Sequence, residues 1–198
     1  MTTGLDSRRL WNDGPLDHLV VAARTLDEGA AWVSSVMGVP MVPGGKHPLM
    51  GTYNRLLGLG PGRYLEVIAI DPEAPPPQRP RWFGLDEPAM RERLARGPAL
   101  IHWVERTDDI EAALALYPEP VEVLDATRGD FAWRIAVPRD GHLPGGGGLP
   151  TLIQWKGPHP ADRLPASGCA LLEFRSEGGL RAVFSTPAGR RSLPPSEE

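Results

Sequence analysis

Two histidines in this 198-residue chain sit inside short apolar runs, Leu16-Asp-His18-Leu-Val-Val-Ala22 and Leu100-Ile-His102-Trp-Val104. Two later runs place a polar side chain among apolar ones, Tyr64-Leu-Glu66-Val-Ile68 and Thr151-Leu-Ile-Gln154-Trp155. Imidazole nitrogens with carboxylate or carboxamide oxygens are donors for a divalent Zn, Fe, Mn, Ni or Co ion rather than for a thiolate-selective one. Period-2 alternation puts His18 on a strand face with Val20 and Ala22, and Glu66 on a face with Ile68 and Ile70. Glu66 would be costly to bury alone there, and a cation or a hydrogen-bond donor would offset that cost. The competing reading makes each histidine a satisfied structural group. Two histidines at matching places, each with a polar partner on a later strand, bring the ligand reading level with it.

A second cluster is Gly44-Gly-Lys-His47-Pro-Leu-Met-Gly51-Thr52-Tyr-Asn54. Its glycines let a loop approach a ligand closely, and His47, Thr52 and Asn54 suit a substrate carbonyl or carboxylate. A glycine turn capped by Asn54 explains the same residues without a ligand. Trp82, Trp103, Trp133 and Trp155 are candidates for an apolar pocket wall or for plain core. Other residues offer less. Ser34-Ser35 lacks a nucleophile elbow, and Cys169 has no basic neighbour in sequence to activate it. His142 and His159 fall in Gly/Pro loops and read as solvated. No phosphate-binding glycine motif is present.

Positioning these residues requires elements, and the chain is heavily punctuated, with 23 Gly and 23 Pro. That punctuation disfavours the long helices of a helix bundle. The net charge of −4 offers no basic field for nucleic acid. No apolar run is long enough to span a membrane, and the opening MTTGLDSRRLWNDG is not a secretory signal. One cysteine cannot form an internal disulfide. A cytoplasmic protein is expected, with a homodimer left open.

Residues 16–22 read as a strand. Thr25-Leu-Asp-Glu28 is a capping box that opens a helix with Leu26, Ala30, Val33 and Met37 on one face, and Gly38 stops it. A brief strand near Met41-Val42 and strands over 52–59 and 64–70 follow. A Pro-rich connector covers 71–81, and a helix over 87–96 carries Pro88 in its first turn. The pattern then returns, with strands over 100–104, 121–124, 131–137 and 151–155 and a helix face of Ile110, Ala113, Leu114 and Tyr117. The expected organisation is α+β, two tandem βαβββ modules over 15–71 and 99–157. The connector and short helix over 72–98 join them, a closing hairpin lies within 168–193, and SLPPSEE forms a loose end.

The Asp-His pair on the first strand, the Gly-Gly-x-His-x(3)-Gly-Thr-x-Asn run and the Tyr-Leu-Glu of the fourth strand resemble the glyoxalase-like domains of the vicinal oxygen chelate superfamily. RTDDIEAA, FAWRIAVP and LIQW continue the likeness from about Leu16 to Trp155. The resemblance implies paired modules whose strands curl into a half-barrel around a site. It implies metal ligands at His18, Glu66, His102 and Gln154, with Glu66 as base. Gln154 departs from the carboxylate that many enzymatic members carry, and His47 is an alternative third ligand to His102. Expected functions are a metal-dependent lyase, isomerase or dioxygenase on a small oxygenated substrate, or a non-enzymatic binder of the antibiotic-sequestering kind.

Overall fold

Strand β1 (Leu16–Ala22) is buried at every position because it lies at the centre of a sheet covered on both faces. The computed structural model describes residues 15–195. The readings of residues 1–14 as a non-secretory start and of the last three residues as loose lie outside the described residues. After β1 come α1 (Leu26–Met37), β2 (Val42–His47), β3 (Thr52–Gly58) and β4 (Tyr64–Ile70). Then α2 (Pro88–Ala95) leads to β5 (Ala99–Arg106), α3 (Ile110–Leu114), β6 (Glu122–Arg128), β7 (Phe131–Val137) and β8 (Thr151–Trp155). These eight strands form one sheet in the order β2-β3-β4-β1-β5-β8-β7-β6. β1 runs parallel to β4, β5 runs parallel to β8, and β1 and β5 meet antiparallel at the seam. This is the curled half-barrel of two βαβββ modules.

Local chemistry accounts for α1. Thr25 Oγ1 accepts from the Glu28 N–H at 3.2 Å, and Gly38 closes the helix in the left-handed region at φ 72°. The capping box is half formed, since the Glu28 carboxylate accepts from Arg24 at 3.2 Å instead of turning back. The buried face is Leu26, Ala30, Val33 and Met37, as the spacing indicates. Gly29 lets this face approach β4, because a Cβ there would lie 2.5 Å from Val67 Cγ1 and 2.8 Å from Ala23 Cβ. Gly29→Ala will therefore lower stability by about 1–3 kcal/mol despite its gain in helix propensity. Urea unfolding checks this, and a more stable variant would show that helix and sheet can separate freely.

The outer face of the sheet packs Leu19, Val21 and Leu65 against α1 and against a second, three-stranded sheet. That sheet holds β9 (Ala170–Arg175), β10 (Arg181–Thr186) and β11 (Gly189–Leu193), whose Phe174, Phe184 and Leu193 reach the same core. The closing element is thus three strands rather than a hairpin. Ser192 and Leu193 of the supposed loose end finish β11, and Leu193 is fully buried. The inner face gathers Val20, Ala22, Ile68, Trp133, Ile135 and Ile153 around Trp82 and Phe83, which the connector delivers through a 3-10 turn. Phe83 holds φ at 59°, a strained value for an aromatic residue that is sustained by packing around it.

Two further differences concern strands with few strand-like residues. Gly44-Gly-Lys-His47 is not a loop but the body of β2, paired with β3 through a bulge between Pro43 and Gly45. β6 continues past Leu124 to Arg128, in register with β7 as far as Phe131. No helix among the described residues is long and apolar enough to cross a membrane.

Candidate functional site

His18 projects from β1 into the concave face, and its ring is set by a buried carboxylate beside it. Its Nδ1–H donates to Asp17 Oδ1 at 2.7 Å, which leaves Nε2 directed at Glu66 Oε2, 3.6 Å away. Tyr64 stacks on the same ring at 4.5 Å and 15°. Asp17 is fully buried. Its Oδ2 accepts from His159 Nε2–H at 2.8 Å and from Trp155 Nε1–H at 2.9 Å. Burial alone would raise the Asp17 pKa, but hydrogen bonds from His159 and His18, with the charges of those rings, hold it well below the usual carboxylate range. Burial, then Asp17 and Glu66, push the Tyr64 phenol well above its ordinary value, so it stays protonated.

Glu66 comes from β4. Its Oε1 accepts from Asn54 Nδ2–H at 2.6 Å, so its predicted need for a donor is met. Asn54, opposite Gly45 in the β2–β3 pair, has its Oδ1 filled by Gly45 N–H at 2.8 Å and Arg128 Nη1–H at 3.0 Å. His47 donates through Nδ1 to Thr52 Oγ1 at 3.1 Å, and its Nε2 faces Asn54 Nδ2 and Arg128 Nη1, each at 3.4 Å. Burial, the Arg128 charge and His18 push the His47 pKa down to about 3, so it is neutral. The glycine pair serves this cluster directly. A Cβ on Gly44 would fall 2.0 Å from Asn54 Oδ1, and one on Gly45 would fall 2.6 Å from Arg128 Cδ.

These groups line a cavity of about 30 Å³ whose remaining wall is Trp82, Phe83, Trp133, Ile135, Ile153 and Trp155. That is room for a water or two as it stands. Trp103 lies outside it, on the opposite face of β5, against Phe174.

A family model described as "Glyoxalase-like domain" matches residues 16–178. The chain belongs to this glyoxalase-like family. No curated protein matches it. Solved structures similar to it include a hypothetical protein from Staphylococcus aureus (20% identity, 71% of this chain, 58% of that one, TM-score 0.45). The chain thus spans less than two thirds of that protein's length. Others are methylmalonyl-CoA epimerase from Mycobacterium tuberculosis (21%, 73% of this chain, 89% of that one, 0.45) and a variant of the Streptomyces coelicolor epimerase (21%, 73% and 99%, 0.47).

Within this glyoxalase-like fold, the four residues named as metal ligands do not converge. His18 and Glu66 meet. His102 lies on the inner face opposite Val20, but its Nε2 accepts from Thr151 N–H at 3.1 Å and Oγ1 at 3.0 Å. Phe83 packs against the ring at 5.5 Å, and His102 does not line the cavity. Gln154 faces the other way, because β8 alternation turns Ile153 and Trp155 inward. Its Nε2 donates to the Asp108 carbonyl. Counting β8 one residue out of phase exchanges its faces, and that is the source of the difference.

The fit to a divalent ion follows from these positions. Among the described residues, no three His, Cys, Asp or Glu side chains form a group able to hold a metal. His18 Nε2 and the Glu66 carboxylate are a two-donor edge, and His47 Nε2 is occupied by Asn54 and the cationic Arg128. The four-ligand set does not fit this site. Sequence reasoning also missed Asp17, His159 and Arg128. Asp17 had a signal, its place beside His18. Its Gly/Pro surroundings predict a solvated His159, yet it is only 9% exposed and braces Asp17. Arg128 precedes a hairpin tip and has no local signature.

Proposed function

We propose that this glyoxalase-like protein is an enzyme of the lyase or isomerase class that moves a proton on a small oxygenated molecule. One observation supports this most: the Glu66 carboxylate, held by Asn54, faces the braced Nε2 of His18 beside an aromatic-walled cavity. Glu66 acts as base on a C–H or O–H of the bound molecule. His18 Nε2 lies where it can pass that proton on or return it, and Asp17 fixes the tautomer this requires. The aromatic wall excludes water from the apolar part of the substrate. A single buried, unpaired cysteine, Cys169, is consistent with a reducing, cytoplasmic setting.

Solvent-deuterium exchange into small 2-oxo and 2-hydroxy acids, followed by NMR, tests the reading. Glu66→Gln will lower exchange by about 10²–10⁴-fold with little change in melting temperature. Exchange equal to wild type in that variant would remove Glu66 from its role. A divalent ion retained at one per chain and lost in His18→Ala would restore the metal-dependent reading, with His47 recruited as third donor. The Trp82, Trp133 and Trp155 wall favours a second reading, a non-enzymatic ligand-binding protein. That reading expects ligands to raise the melting temperature without any turnover, in wild type and Glu66→Gln alike.

A further inference from the structure

Arg128 is a half-buried arginine at the cavity whose guanidinium meets no carboxylate. The half-buried Arg55, Arg79, Arg81 and Arg134 each meet one. The Arg128 guanidinium instead donates through Nη1 to Asn54 Oδ1 and lies beside His47 Nε2, both neutral. Among the described residues no carboxylate lies within 4.0 Å of it, although it is half-buried and lines the cavity. Its Nε and Nη2 donors have no partner among those residues.

The fold gives this cation a built seat. β2 and β6 are the two edge strands of the sheet, and the curl brings them together. The Arg128 stem crosses that gap over Gly45, where any Cβ would lie 2.6 Å from Cδ and 3.0 Å from Cγ. The Phe131 ring supports the guanidinium at 5.5 Å. His47, kept neutral by burial and by this charge, does not compete for an anion with a charge of its own.

We propose that Arg128 is an anion subsite that receives the carboxylate of the ligand. A planar guanidinium with an unused edge matches a carboxylate in two-point geometry. Asn54 bridges the two charged ends of the cavity, Oδ1 to Arg128 and Nδ2 to Glu66. The ligand class that fits is therefore a small carboxylic acid whose reactive C–H or oxygen function lies a few bonds from its carboxylate. This rests on the reading of the cavity as a small-molecule site, but it does not require Glu66 to act as a base.

Binding of pyruvate against its neutral amide, pyruvamide, tests it, read by tryptophan fluorescence and by melting. The acid will bind about 10–100-fold more tightly than the amide, as expected for hydrogen bonds to a charged group. Arg128→Met will abolish that preference, and Arg128→Lys will restore part of it. Gly45→Ala, which displaces the stem while leaving the guanidinium present, will also reduce it. A failure of deuterium exchange in the wild type with the preference intact sinks the proton-transfer reading alone. Acid and amide binding equally, no acid binding at millimolar concentration, or a preference unchanged in Arg128→Met would each overturn the subsite.

Discussion

Asp17→Ala will destabilise the protein by about 3–5 kcal/mol, the range for removing one partner from a buried charged network. The carboxylate is wholly buried and accepts from three donors, His18 Nδ1, His159 Nε2 and Trp155 Nε1, with Arg106 Nη1 at 3.8 Å. Its loss strands the buried N–H groups of His18 and His159 and the part-buried N–H of Trp155. Those donors come from β1, from the end of β8 and from the turn after it, so one side chain ties both halves of the sheet together. Asp17→Asn keeps the volume but turns an NH₂ towards at least one of these donors, and it will recover only part of the loss. Urea unfolding is the measurement, and a loss below about 1 kcal/mol would mean that the network is not a stabilising unit. In both variants deuterium exchange should fall further than stability accounts for, because His18 loses the brace that aims Nε2.

The protein will also lose stability in mild acid. His47 and His102 are both pushed down to about 3 from an ordinary 6.5, first by burial. His102 has Nε2 filled by Thr151 and its Nδ1 without a partner among the described residues, so the neutral ring is the form this packing accepts. A histidine whose folded pKa is lowered takes up protons first in the unfolded chain. Its contribution is therefore complete above about pH 6.5 and lost progressively as pH falls towards 3. Each site removes about 1.4 kcal/mol per pH unit in that window, so two sites remove on the order of 5 kcal/mol by about pH 4.5. That is comparable to the whole stability of many domains. Asp17, held low, adds to the loss only below the ordinary carboxylate range. Urea midpoints measured between about pH 7.5 and 4.5 will fall steeply, and His47→Gln will flatten the slope by about half. A slope near zero across this window would contradict the buried, neutral state of both rings.

The elements that declared themselves in sequence did so through local physics. β1 and β4 match the expected runs at both ends, and α1 begins and ends where Thr25 and Gly38 place it. The residues that were misread depend on partners far along the chain. Gly44-Gly-Lys-His47 has no strand propensity of its own and is a strand because β3 pairs with it and because Asn54 and Arg128 occupy its glycine spaces. β11 reads Gly-Arg-Arg-Ser-Leu and is held by β10. Part of the candidate site was legible because His18, His47, Thr52, Asn54 and Glu66 all belong to one short stretch with marked chemistry. Gln154 takes the place of Glu66 in the order of the repeat, but the repeat does not preserve which face of β8 looks inward. Arg128 meets Asn54 only after the whole sheet has curled, a closure that no local window contains.

The antiparallel seam between β1 and β5 has a consequence for how such a protein can change over time. The groups proposed for proton transfer and their neighbours, His18, His47, Asn54 and Glu66, all come from one side of that seam. From the other side come the guanidinium and much of the apolar wall, Arg128, Trp133, Ile135, Ile153 and Trp155. On the proposed reading, reactivity and selectivity lie in separate halves of the chain. Mutations in the second half that spare the braces from His159 and Trp155 to Asp17 can then retune which molecule is accepted without touching the proposed proton-transfer groups.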